Sequence, residues 1–377
     1  MMKTFRFDEI AYNSTQKVKP TEADKEHYIG LEHIDGECLY ISRWGSDVAP
    51  IGEKLVMRKG DILFGKRRAY QRKVAIAPID GIFSAHGLVL RPKEDVVDKD
   101  YFPFFMSSNQ FLDRAVQISV GGLSPTINWK DLARQEFTLP SLSEQKVLAD
   151  KLWAAYRVKE SYKKLLAATD DMLKAKFMEM FGEDYGKEVK LRDLIATNFA
   201  GEWGDDDILG NGTQVIKTNN FKNDGTISFD NIVTRNIQVD VLERKRLDRG
   251  DILLERSGGT KDNPVGRAVY FDQEGEFVVN NFVQVLRAND LVVSKYLFYN
   301  LFIYYHTHKI DIKRMGHQTS GIQNLKLQEF LDRKIVLPPL PLQQQFVEIA
   351  TQAEATKESL RKSIENIDQV IKSLINQ

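Results

Sequence analysis

Two kinds of hydrophobic pattern alternate along the chain. Short apolar runs bounded by turn residues occupy most of it, and a seven-residue spacing of apolar positions takes over in two long stretches. Lys73-Val74-Ala75-Ile76-Ala77, Gly87-Leu88-Val89-Leu90, Arg267-Ala268-Val269-Tyr270-Phe271 and Phe277-Val278-Val279 belong to the first kind and predict β-strands. Short helices are expected at about 100–115 and 294–306. A Leu-Pro pair then closes each globular region, because proline disfavours helix in the residue before it.

The second kind predicts two long helices. Phe346, Ala353, Leu360, Ile367 and Leu374 recur at heptad spacing, with Ala350, Ile364 and Ile371 on the adjoining row. Lys357 interrupts that row, and with Glu348, Glu354, Glu358, Arg361, Lys362 and Glu365 it reads as solvent-facing or flanking. An earlier helix runs from about Ser143 to Phe181, with Val158, Tyr162, Leu165, Leu166, Met172, Leu173, Phe177 and Met180 at helical spacing. Ser143, Glu144 and Gln145 suit its start, and Gly182 its end. Two such helices at equivalent places in a repeat most simply pair with each other, antiparallel. The first carries more apolar faces than one partner covers, which points to contacts with other subunits.

The repeat is the strongest signal in the chain. Five blocks recur in the same order, offset by roughly 185–200 residues. Phe7-Asp8-Glu9-Ile10 resembles Leu191-Arg192-Asp193-Leu194. Tyr28-Ile29-Gly30-Leu31-Glu32-His33-Ile34 is placed like Val215-Ile216-Lys217-Thr218-Asn219-Asn220-Phe221. Arg58-Lys59-Gly60-Asp61-Ile62-Leu63 matches Asp248-Arg249-Gly250-Asp251-Ile252-Leu253. Tyr101 to Leu112 matches Tyr296 to His306, and Leu139-Pro140-Ser141-Leu142-Ser143-Glu144-Gln145 matches Leu337-Pro338-Pro339-Leu340-Pro341-Leu342-Gln343. Between blocks the copies diverge, as Gly65–Lys73 and Glu255–Asn263 show. A common scaffold with dissimilar inserts suits two recognition domains with different targets; a duplicated domain that has drifted would look similar.

Composition narrows the classes. The 377 residues, 42% hydrophobic and 28% charged, fit a globular protein of two or three domains. Met1 to Ile10 lacks the apolar core of a secretory signal, and the apolar run Tyr296 to Tyr305 is about half the roughly 20 residues that span a bilayer. A cytoplasmic protein is expected. Cys38 is the single cysteine, which removes an internal disulfide and any Cys-based zinc site. Lys plus Arg and Asp plus Glu number 53 each, so no overall basic charge advertises nucleic acid and local distribution has to carry that reading.

Catalytic patterns fail on inspection. Gly60-Asp61-Ile62-Leu63-Phe64-Gly65-Lys66 fits the outline of a phosphate-binding loop, but Arg67 stands where a magnesium-binding hydroxyl is needed, and the second copy has no lysine. Asp262-Asn263-Pro264-Val265 lacks the second proline and the tyrosine of the adenine-methyltransferase motif it resembles. His306 and His308 have no obvious companion ligands. No acid pair or nucleophile–base set recurs in both halves.

Two loops per half could instead meet DNA. From Arg58 to Lys73 the bases Arg58, Lys59, Lys66, Arg67, Arg68, Arg72 and Lys73 face one acid, Asp61, with Tyr70 and Gln71 interleaved. Such a loop can neutralise phosphates and offer Arg to guanine or Gln to adenine, or it can simply be solvated. Arg256 and Lys261 are the weaker candidates in the second copy. The second loop of each half is Gly-bounded and polar: Gly121 to Thr126 with Ser124, and Gly316 to Gly321 with His317 and Gln318, preceded by Lys313 and Arg314. Ordinary turn chemistry is the competing explanation.

The ordered, duplicated set resembles the DNA-specificity subunits of type I restriction–modification systems. Tyr28 to Ile34, the twin Gly-Asp-Ile-Leu segments and the twin Leu-Pro-x-Leu-x-x-Gln entries into long helices carry that resemblance over almost the whole chain. It implies an α+β fold in which two similar mixed α/β target-recognition domains (1–140 and 183–338) are separated by two long antiparallel coiled-coil helices (141–182 and 339–377). It further implies a non-catalytic reader of a two-part site in double-stranded DNA, with no cofactor of its own. S-adenosylmethionine would belong to partner methyltransferase subunits, and ATP and magnesium to a separate restriction–translocase subunit. Val158, Tyr162, Leu165, Leu173, Phe346, Leu360 and Ile367 are the candidate helix residues for subunit contacts. A type II-like relative, or a duplicated protein-binding adaptor, would share much of this pattern.

Overall fold

A computed structural model describes residues 2–182, 187–260, 263–319 and 322–376. Contacts divide the chain into two units, residues 1–165 with 359–377, and residues 166–358. The divisions therefore fall inside the long helices, so each unit holds part of both.

In the first unit the strands Ala11–Ser14, Leu88–Pro92, Ile62–Phe64 and Val74–Ile76 form an antiparallel sheet in that order. A second sheet orders Lys17–Val18, Lys54–Met57, Gly81–Phe83 and Tyr28–Ile29, its last pair parallel. Successive side chains of a strand point to opposite faces, and the central strand uses both. Ile62 and Phe64 join the core that holds the helices, whereas Leu63 joins the core between the sheets with Ile29, Met57 and Phe83. Burial on both faces explains why Gly-Asp-Ile-Leu runs straight into continuous apolar sequence rather than alternating.

The second unit repeats this plan. Ile195–Ala200, Val283–Ala288, Ile252–Glu255 and Ala268–Tyr270 make one sheet; Asp205–Asp206, Val233–Asn236, Thr213–Ile216 and Phe277–Val279 make the other, again with a parallel last pair. Ile252 and Leu254 face one core, Leu253 the other. The expected helix at 294–306 is Ser294–Thr307, while that at 100–115 is broken into Phe102–Ser107 and Asn109–Gln117. Ser108 makes the break, its hydroxyl accepting from the Phe111 amide at 3.2 Å as a helix cap.

The repeated polar residues are scaffold. Asp61 accepts from the Arg58 amide (2.8 Å) and from two guanidinium nitrogens of Arg91 (2.7 and 2.9 Å). Asp251 does the same with the Asp248 amide and Arg287, all at 2.8 Å. Gly60 and Gly250 precede them at φ +92° and +96°, a conformation that side chains with a Cβ resist. The stretch that outlined a phosphate loop is thus a turn and a buried strand.

The long helices are Leu142–Phe181 and Leu340–Ile375. Gln145 and Gln343, both buried, begin them in the same way. Each side-chain amide donates to the preceding Leu-Pro carbonyl, Pro140 at 2.9 Å and Pro338 at 2.7 Å. Each side-chain oxygen accepts an amide from the globular region, Asp98 or Val293, at 2.8 Å. Loss of the Ser-Glu pair in the second copy leaves this joint intact, and Pro341 is compatible with a first helical turn.

Within each unit the helices are antiparallel. In the second, Phe177 meets Phe346 with ring centroids 5.2 Å apart, while Asp170 meets Lys357 at 2.5 Å. In the first, Tyr156 shares a core with Ile371, and Lys159 meets Asp368 at 2.5 Å. The expectation for Lys357 needs correction. It lies in the seam, is buried, and keeps its charge by pairing.

Candidate nucleic-acid interface

The two loops nominated in the first half are zipped together. The Ile127 amide donates to the Lys66 carbonyl (3.0 Å) and the Arg68 amide to the Pro125 carbonyl (2.7 Å), while Arg67 bridges to Thr126. Val120 and Thr126 exchange two hydrogen bonds of 3.0 and 2.8 Å, closing the turn that displays Leu123. Arg68 Nε donates to Ser124 Oγ at 3.2 Å.

Side chains on this surface differ in role. Arg68, Tyr70 and Gln71 are exposed; Arg67 is half-buried near His86. Lys66 points into a groove of about 200 Å³ shared with Lys17 and Trp129. Burial, then the Lys17 charge, pulls the Lys66 ammonium below its ordinary pKa. Burial, and the adjacent Arg67, does the same for the His86 imidazole.

Arg72 and Lys73 are engaged within the unit. Arg72 donates to Asn109 Oδ1 (2.9 Å) and Asp113 Oδ1 (2.8 Å), and Lys73 Nζ to the Leu31 carbonyl (2.6 Å). Arg267 occupies the place of Lys73 in the second unit. The Gly65 amide bonds the Lys73 carbonyl just as the Glu255 amide bonds that of Arg267, and Arg267 Nη2 reaches the Thr218 carbonyl at 3.3 Å. Buried Glu255 pairs with Arg267 at 2.7 Å and accepts the Gly259 amide at 3.3 Å, which ties the second loop to the sheet.

The second unit joins its loops by the same connection. The Leu325 amide donates to the Arg256 carbonyl at 2.8 Å, and Ser257–Gly258 pairs with Ile322–Leu325, which pairs with Gly316–Thr319. A groove of about 560 Å³ is lined by Gly258, Thr260, Lys313, His317, Gln318 and Gln323. Arg256 is half-buried; Arg314 is exposed and 3.6 Å from Asp311. Lys261 lies outside the described residues.

Sequence reasoning missed Lys17, His86, Trp129 and Gln323. Lys17 and Trp129 reach the groove from distant segments, and no local pattern marks them. Gln323 follows the polar loop closely enough that the β-pattern of Ile322–Leu325 was the available signal.

On the helices, Val158 and Leu165 are 43% and 48% exposed with Tyr162 half-buried between them, apolar positions along one stretch of the first helix in the first unit. Leu173 and Phe346 are instead buried in the core of the second unit, Leu360 is buried, and Ile367 is half-buried against the first core. Among the described residues no group of three or more His, Cys, Asp or Glu is placed to hold a metal, and no helix is long and apolar enough to cross a membrane.

Each unit carries the same module, a pair of joined loops on two sheets with segments of both long helices, which defines a protein built from a duplicated domain. The sequence model of the type I restriction modification DNA specificity domain matches residues 5–168 and again 190–369. The chain belongs to that family, and DNA specificity is the role membership assigns it. The type I restriction enzyme StySPI specificity subunit of Salmonella potsdam is 23% identical over 85% of this chain and 71% of its own length. The EcoDI specificity subunit of Escherichia coli is 28% identical over 37% of this chain; that alignment spans 31% of the relative. Among solved structures, the type I restriction-modification S subunit from M. genitalium matches with TM-score 0.57, 13% identity, and 100% and 95% of the two chains covered. A chain from a study of complex assembly and conformational transition of the type I R-M system matches with TM-score 0.56, 16% identity, and 99% and 96% covered. These likenesses support the fold: an α+β pair of domains with two long helices.

Proposed function

We propose that this chain is the non-catalytic reader of a type I restriction–modification complex, each unit addressing one half of a two-part site in double-stranded DNA. The observation that carries this is the connection repeated in both units, Lys66 to Ile127 and Arg256 to Leu325, which fuses two sequence-divergent loops into one surface. A clamp that recurs in both units beneath dissimilar side chains suits two readers with different targets. Phosphate contacts from Lys and Arg give affinity, and base-edge contacts from Arg, Gln or His give specificity.

The helix pair sets the unread gap between half-sites. Val158, Tyr162 and Leu165 form part of the face on which methyltransferase subunits dock. Those subunits supply S-adenosylmethionine chemistry at adenine, and a restriction–translocase subunit supplies ATP- and magnesium-dependent cleavage. The complex works in the cytoplasm, where the DNA is. Co-expression with the methyltransferase subunit of its system, followed by methylome sequencing, should give one two-part adenine motif with a fixed gap. Methylation without a motif would refute the assignment.

A further inference from the structure

Two ion pairs of the helices, each between a buried lysine and a half-exposed aspartate, are related by the repeat. The interval from Lys159 to Asp170 equals that from Lys357 to Asp368, and each Lys meets the Asp of the opposite helix, one pair in each unit. Lys159 and Lys357 are both buried. Both pairs correspond to the same antiparallel register.

The apolar seam does not define that register alone. Because Phe346, Ala353, Leu360, Ile367 and Leu374 recur at heptad spacing, a slip of one heptad keeps that row facing the first helix, although in one direction it moves Phe346 from Phe177 and Phe181 to Asp170 and Lys174 and in the other past the helix end. The charges do not tolerate it. The same slip would carry Lys159 opposite Arg361 or Ile375, Asp170 opposite Ala350 or Ile364, and Lys357 opposite Lys163 or Phe177. In either direction Lys159 and Lys357, both buried, lose their counter-ions, which is strongly disfavoured, while Asp170 and Asp368 turn back to solvent. A polar group in an apolar seam is an effective way to specify one register.

We infer that Lys159–Asp368 and Lys357–Asp170 are specificity-determining pairs that select a single helix register and thereby a single gap length. The gap half of this inference rests on the proposed function; the register half does not. A one-heptad slip displaces the helices by about 10 Å, equivalent to about three base pairs of duplex at 3.4 Å each.

The test replaces both pairs by apolar residues in the full chain: K159M, D170L, K357M and D368L. Nitroxide labels at Ala175→Cys and Gln352→Cys, both exposed positions of the second unit, in a Cys38→Ser background report the register by electron–electron distance. The parent should give one distance and the apolar variant a second population, with a melting temperature unchanged or higher. One population in the folded apolar variant overturns the inference. If that variant does not fold, the reversal K159D decides. It should broaden the distance distribution, and adding D368K should restore it; a single unaltered population in K159D overturns the inference. Methylome sequencing of the apolar variant should show a second gap differing by about three base pairs. Two registers with one unchanged gap would contradict the role in gap selection, whereas a parent chain with no two-part motif would contradict the proposed function itself.

Discussion

Ile127 donates its backbone N–H to the carbonyl of Lys66 across two loops that are distant in sequence. The bond holds the basic loop against the Gly-bounded turn, with Arg68 exposed and Arg67 half-buried beside His86. R67A and R68A are therefore expected to weaken DNA binding and to lower the slope of log affinity against log salt by about one each. R72A is the control. Its guanidinium is engaged by Asn109 and Asp113, so the salt slope should stay at the parent value. Anisotropy titrations at several salt concentrations separate these outcomes.

Asp61 and Asp251 hold equivalent turns and equivalent arginines. Asp61→Ala removes two ionic hydrogen bonds and uncaps the Arg58 amide, at a cost of about 2–4 kcal/mol. D251A should cost a similar amount in the second unit. Urea unfolding midpoints for the two variants measure both, and a loss well under 1 kcal/mol would show that the pairs are incidental.

Gln145 and Gln343 anchor the long helices to the globular regions from buried positions. Alanine at either site leaves a buried amide and carbonyl without partners, costing about 2–3 kcal/mol. Hydrogen exchange should show faster opening of the first turn of the affected helix. Glutamate should not rescue, because it cannot donate to Pro140 or Pro338.

Much of this scaffold was legible in the sequence. The Gly-Asp-Ile-Leu and Leu-Pro-x-Leu-x-x-Gln blocks repeat because each side chain in them makes a fixed set of local contacts, and local contacts leave local patterns. The loops were less legible. Lys73 looked like its basic neighbours, but its partner is the Leu31 carbonyl, visible only once the sheets are assembled. Lys357 looked like a break in an apolar row because Asp170 is far away in sequence. Lys17 and Trp129 entered the groove around Lys66 for the same reason.

Glu144 offers a pH test of the first helix start. Its carboxylate accepts from the Ser141 hydroxyl (2.6 Å) and amide (2.8 Å), a reciprocal capping arrangement. The hydroxyl, then the amide, lowers its pKa from 4.5 to about 2. The folded value lies below the unfolded one, so the contribution is present above pH 4.5 and is lost as pH falls through about 2. Glu144→Gln should flatten the fall in melting temperature across that window. An identical acid-side profile in both proteins would remove Glu144 from the account.

The central claim is that each unit reads its own half-site. Its most direct measurement is methylome sequencing of a chimera in which residues 255–263 and 316–325 are replaced by the corresponding loops of another family member. The account predicts that one half of the methylated motif changes while the other half and the gap are retained. Change in both halves, or in neither, would contradict it.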